Sequence, residues 1–232
     1  MTDWLTQEEW RAVALSLRVS FWAVLVSLPL GVLVAYALAR WEFWGKQVLN
    51  GLVHLPLILL PVVTGYLLLL TFGRKGWVGS ILDQWFGIVF AFRWTGAALA
   101  AGVMAFPLMV RAIRLAIEAV DPKLEQAAGT LGAPRPFVFL TVTLPMILPG
   151  ILAGVILAFA KAMGEFGATI TFVSNIPGQT QTLPSAIYAV LQVPGGETQA
   201  ARLVLVAVVI AMAALLLSEW VSRAVARRIS GA

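Results

Sequence analysis

The sequence predicts an all-α integral membrane protein with about five transmembrane helices. Of its 232 residues, 60% are hydrophobic and 12% charged, against roughly 25% charged in an average soluble domain. The mean hydropathy is +0.92. Several uncharged runs are long enough to cover ~30 Å of hydrocarbon at 1.5 Å per helical residue, and the basic residues gather at the ends of those runs.

The same composition excludes several classes. There is no cysteine, so a disulfide framework and Cys-based metal or redox chemistry are unavailable. The net charge of +5 comes from residues flanking apolar runs, where membrane orientation explains them and nucleic-acid binding is not implied. The acidic start, MTDWLTQEEW, lacks the basic region of a cleaved signal peptide, so the first apolar segment is expected to remain.

Residues 1–232 read as one transmembrane domain. The first span, about 13–39, contains the uncharged stretch from Arg18 to Arg40. The second, about 47–72, is interrupted only by His54 and is expected to kink at Pro56 and Pro61. His54 has no acidic partner within the spans and reads as a packing residue rather than a proton relay. After Gly73, Gly76 and Gly79 comes a short amphipathic piece around Trp85 and Phe86. The third span, about 94–113, requires Arg93 and Arg111 to reach toward the interfaces. The fourth covers about 138–161 and the fifth about 201–222. Gly31, Gly51 and Gly102 would permit close helix contact, while Trp94 and Trp220 suit interfacial anchoring. Residues 166–196 are uncharged but broken by Ser174, Asn175, Pro177, Gly178 and Pro184. They read as re-entrant or interfacial segments rather than a span.

Arg40, Lys46, Arg111, Arg114, Lys123, Arg135, Arg223, Arg227 and Arg228 fall on one side if the N-terminus is outside and the C-terminus inside, the arrangement favoured by the positive-inside bias. The loop of about residues 114–137 is then cytoplasmic. Within it Asp121 suits an N-cap and Pro122 the first helical position. Gly132 suits a left-handed stop, with Pro134 just beyond. A helix over about 122–131 follows. Ala127, Ala128 and Gly129 would leave its backbone approachable, and Leu124 and Leu131 offer apolar anchors. Such a helix fits either a groove on a partner protein or the membrane surface.

The stretch QAAGTLGAPRPFVFLTVTLP resembles the signature loop of ABC importer permeases. Ala127 and Ala128 match its alanine pair, Gly132 its glycine, and Val142, Leu144 and Pro145 its Ile-x-Leu-Pro end. Gln126 stands where the family has Glu, with Glu125 one residue earlier. Longer segments, among them HLPLILLPVVTGYLLLLTFGRKGWVG and AKAMGEFGATITFVSNIPGQTQTLPSAIY, are similar to permease subunits of bacterial molybdate importers. GEFGAT is shared with the tungstate and sulfate permeases.

The resemblance implies the type I importer permease fold in the bacterial inner membrane. It implies two copies of the chain around a shared path, with cytoplasmic ATPase subunits and a periplasmic molybdate-binding protein as partners. Molybdate is the implied cargo, tungstate or sulfate the alternative. Leu124, Glu125, Gln126, Ala127, Ala128, Leu131 and Gly132 would form the coupling helix that enters a cleft of the ATPase. ATP and Mg belong to that partner, and the sequence contains no GxxxxGK[ST] loop. No cofactor, metal site or catalytic residue is expected here, since HExxH and GxSxG are also absent. An ATP-independent anion transporter would call for inverted repeats or ionisable networks within the spans, and neither is found.

No Lys or Arg lies in the middle of a span, which fits a path that does not hold a dianion tightly. Candidates for its lining or gate are Thr169, Thr171, Ser174 and Asn175, with the backbone at Gly164 and Gly167. Equally, these residues read as capping and packing a short extracellular helix. Glu165 would repel a dianion; it reads as structural, paired with Lys161 at i, i+4, with gating as the alternative.

Overall fold

A Thr6 cap opens the first helix, α1 (Gln7–Arg40), in the computed structural model, which describes residues 4–229. The Thr6 hydroxyl accepts from Glu9 N–H, and the Glu9 carboxylate accepts from Thr6 N–H. This reciprocal box satisfies two otherwise orphaned donors. At 34 residues α1 is ~51 Å long, longer than the hydrocarbon layer. The uncharged part between Arg18 and Arg40, ~32 Å, is the part that matches it.

The second span departs from expectation. Instead of one kinked helix over 47–72, there are α2 (Lys46–Ile58) and α3 (Pro61–Phe72), bent by 115°. Pro61 has no N–H to continue the ladder and pushes Leu60 out of the helical region; Leu60 has φ −59°, ψ 134°. Pro56 stays inside α2. Thirteen residues make α2 only ~20 Å long, so it stops partway through the membrane.

Next come α4 (Trp77–Phe86), α5 (Trp94–Glu118) and the isolated α6 (Pro122–Thr130). A short α7 (Arg135–Val138) leads through a π-helical turn at Phe139–Thr143 into α8 (Leu144–Met163). The chain ends with α9 (Gly167–Val173), α10 (Leu183–Leu191) and α11 (Glu197–Ile229). Among the described residues, four helices are long and apolar enough to cross a membrane, or five elements if α2 and α3 count as one span. In 166–196 the two helices, α9 and α10, are each too short to cross.

The centre is α5, held between α1 and α8. Small residues let the backbones approach: Ala97, Ala100, Ala101 and Ala105 of α5 are buried. A Cβ on Gly31 would lie 2.9 Å from Met109 Sδ, and one on Gly150 would lie 2.2 Å from Ala116 Cβ. Gly102 approaches Ala23, whereas Gly51 has nothing within 4 Å and makes no such contact within the chain.

Hydrogen bonds between distant segments define the two ends of the bundle. At one end Arg40 donates to Val120 O and Arg114 to Asn50 Oδ1. At the other, Leu183 N–H donates to Ser16 Oγ and Arg202 to Trp4 O. The beginnings of α1 and α11 therefore share the face opposite α6.

Candidate functional site

The loop helix is built by local chemistry. The Asp121 side chain accepts from Lys123 N–H at 2.9 Å, and Pro122 occupies the first position. Gly132 takes φ +86° just after the helix, and its N–H donates to Gly129 O. No residue of α6 is buried within the chain.

Its two sides differ. Leu124, Ala127 and Leu131, at spacings of three and four, are exposed, and Leu131 is 89% exposed. That is one helical stripe of apolar groups with no partner. Gln126 and Gly129 are also exposed, and a Cβ at Gly129 would meet nothing. Ala128 and Glu125 are half-buried. The sequence grouped Ala127, Ala128 and Gly129 together; the structure turns Ala128 toward the bundle and leaves the other two outward.

Glu125 faces inward because it has two partners there. Its Oε1 accepts from Arg40 Nη2 at 3.2 Å and from Thr143 Oγ1 at 2.9 Å. Thr143 is fully buried and ends the π turn, where Leu144 N–H reaches back five residues to Phe139 O. Pro145 explains the turn: lacking an N–H and crowding the carbonyl four residues back, it opens the ladder by one residue. Nothing in the sequence marked Arg40 or Thr143 as partners of this helix. Arg40 read as a span end and Thr143 as part of an apolar run.

At the opposite end, Glu165 is buried, and its Oε2 accepts from Lys161 Nζ at 2.9 Å. Its Oε1 accepts from Ala168 N–H at 3.0 Å, in the first turn of α9, where a carboxylate is favoured. The expected i, i+4 pair is present. Both oxygens are committed to holding α8 and α9 together.

The gate candidates are similarly engaged. Thr169 Oγ1 donates to Phe166 O and Thr171 Oγ1 to Gly167 O. Gly167 lies against Pro61, and Gly65 lies so close to Ala168 and Thr171 that α3 and α9 touch backbone to backbone. Ser174 has φ +65°, and its carbonyl accepts from Thr180 Oγ1. Asn175 Oδ1 is buried without a partner. Gly164 alone of this set borders the 230 Å³ cavity between α8, α10 and α11. Within one chain these residues do not surround an open path.

No group of three or more metal-ligating side chains occurs among the described residues. What the geometry offers is a helical bundle with one apolar-faced helix exposed at one end.

Solved structures sharing this architecture define the class. The fold matches a bacterial ABC transporter involved in the import of the acidic polysaccharide alginate, with a TM-score of 0.74 over 94% of this chain and 80% of that one, at 20% identity. It also matches the MetNI methionine ABC transporter, with a TM-score of 0.70 over 94% of both chains, at 15% identity. This is the type I ABC importer permease fold. Residues 27–231 match the family described as binding-protein-dependent transport system inner membrane component, and the chain belongs to that family. It is 62% identical to the molybdenum transport system permease protein ModB of Escherichia coli (strain K12), over 94% of this chain and 96% of that one. It is 56% identical to the ModB protein of Haemophilus influenzae over 94% and 95%.

Proposed function

We propose that this chain is the membrane permease of an ATP-driven importer that carries molybdate from the periplasm to the cytoplasm. The observation that carries the cargo is the 62% identity to a molybdenum transport permease over nearly the whole of both chains. Sulfate permeases are less similar than that relative, at 44% identity over 74% of this chain for the Chlamydomonas reinhardtii protein and 39% over 73% for the Synechococcus elongatus protein.

In this reading two copies form the path at their interface. Cytoplasmic ATPase subunits bind the Leu124–Ala127–Leu131 stripe of α6, and a periplasmic binding protein selects the anion and delivers it. The N-terminus is periplasmic and the C-terminus cytoplasmic. The placement of the chain's beginning on the face opposite α6 supports this orientation. ATP and Mg are held by the ATPase, and the permease contributes shape and movement. An anion path that releases its cargo benefits from weak polar lining, consistent with committed threonine hydroxyls and the absence of mid-span Lys or Arg.

The test is uptake of labelled molybdate by vesicles containing this chain, its ATPase and its binding protein, with sulfate and tungstate as competitors. ATP-dependent uptake that excess sulfate leaves intact is expected. Equal transport of sulfate would overturn the cargo; uptake without ATP would overturn the mechanism.

A further inference from the structure

The 115° break between α2 and α3 leaves an opening in the bundle. Below it, α2 packs beside α5. Above it, α3 turns away toward α9, and among the described residues no helix replaces it. The result is a groove of about 580 Å³ between α1, α2 and α5. Trp22, Val26 and Leu30 line it from α1, Ala98 and Phe106 from α5, and Pro56 from α2. Ser27 is one of its few polar members, and its hydroxyl donates to Ala23 O.

The dimensions of the groove match one lipid leaflet. On α1 the stripe Arg18, Trp22, Val26, Leu30 advances by four residues at each step. From Arg18 to Leu30, and from Trp94 to Phe106 on α5, the rise is ~18 Å. Half of a ~30 Å hydrocarbon layer is ~15 Å. Pro56, ten residues into α2, lies ~15 Å above that helix's start and forms a floor near the middle of the membrane.

The mouth of the groove is cationic. The Arg18 guanidinium stacks 3.9 Å from the centroid of the Trp94 ring, and Arg93 is the exposed residue immediately before Trp94. Neither arginine joins an ion pair among the described residues. Arg18 lies one hydrocarbon thickness from Arg40 along α1, at the depth of lipid headgroups. Apolar walls one leaflet deep beneath unpaired arginines suit an acyl chain joined to a phosphate.

We propose that this groove holds a structural phospholipid from the leaflet opposite α6, with one acyl chain against Trp22, Val26 and Phe106 and its phosphate on Arg18 and Arg93. The lipid takes the place of the missing half-helix and covers the seam where α1 meets α5. This inference rests on the groove alone and stands whichever cargo is carried.

The experiment is native mass spectrometry of the permease purified in mild detergent, with titration by dioleoyl phosphatidylglycerol and by dioleoylglycerol, which lacks the phosphate. The wild type is expected to retain phospholipid at one per chain and to bind phosphatidylglycerol more tightly than dioleoylglycerol. The surface variant R18Q/R93Q should bind phosphatidylglycerol roughly tenfold more weakly, as expected for losing charge-assisted hydrogen bonds. Ala98→Trp, which fills the groove, should lose the retained lipid. Equal binding of the two lipids, or unchanged binding by R18Q/R93Q, would overturn the proposal. So would disulfide cross-linking between two copies carrying Val26→Cys, which would give the groove to a second chain.

Discussion

Arg40, the last residue of α1, donates to Glu125 in the middle of α6 at 3.2 Å, although 85 residues separate them. The same carboxylate oxygen accepts from Thr143 at the entry to α8, and Arg40 also donates to Val120 O at 2.8 Å. One carboxylate thereby ties the loop helix to α1 and α8. The tie sets which face of α6 turns away from the bundle.

Removing the tie should loosen α6 without unfolding the bundle. Both side chains of the pair are mostly buried, at 14% and 18% exposure, so Arg40→Ala is expected to cost about 2–3 kcal/mol and Thr143→Val about 1 kcal/mol. The double variant should cost less than the sum, because both act through Glu125. Thermal unfolding in detergent measures the cost, and faster tryptic cleavage at Lys123 reports the freed helix.

The outward stripe gives the opposite pattern. Leu131→Asp and Ala127→Trp alter exposed groups, so stability should change by less than about 0.5 kcal/mol. Copurification of the ATPase subunit should be lost in both. Retention of the ATPase by both variants would remove the stripe from the docking face.

Two glycines should fail for different reasons. A Cβ at Gly65 would sit 2.5 Å from Ala168 O and 2.9 Å from Thr171 Cβ, so Gly65→Ala must push α9 off α3, at about 1–3 kcal/mol. Gly132 has open space around it but φ +86°, so Gly132→Ala should cost only the left-handed backbone penalty, about 1–2 kcal/mol. Gly132→Asn should recover much of that. Melting temperatures of the three variants separate steric from conformational cost.

Lys161→Met would leave the Glu165 carboxylate buried without its cation, at about 3–5 kcal/mol. The double variant K161M/E165Q should recover most of the loss, because an amide oxygen at position 165 can still accept from Ala168 N–H. Uptake by the double variant close to that of the wild type would establish Glu165 as structural. Abolished uptake in a stably folded double variant would return it to the gate.

Much of this was legible because it is local. Asp121, Pro122 and Gly132 bound α6 through hydrogen bonds and dihedral preferences that span a few residues. Lys161 and Glu165 meet because a helix brings i and i+4 together. The signature loop with its alanine pair lies on a helix that the structure leaves without a buried residue. The same reading merged α2 and α3, because apolar length and two prolines suit a kinked span as well as a broken one.

By itself the sequence determined a multi-span helical membrane protein, the position and caps of its loop helix, and its family likeness. Apolar runs and short-range bonding carry that information within single segments. Only the tertiary structure decided that α3 turns away by 115°, that Glu125 faces Arg40 and Thr143 while Leu131 faces outward, and that the threonines of α9 are occupied by their own helix. The rotation of a helix about its axis and the direction after a break depend on what packs against it. Those partners lie tens of residues away, where no local pattern records them.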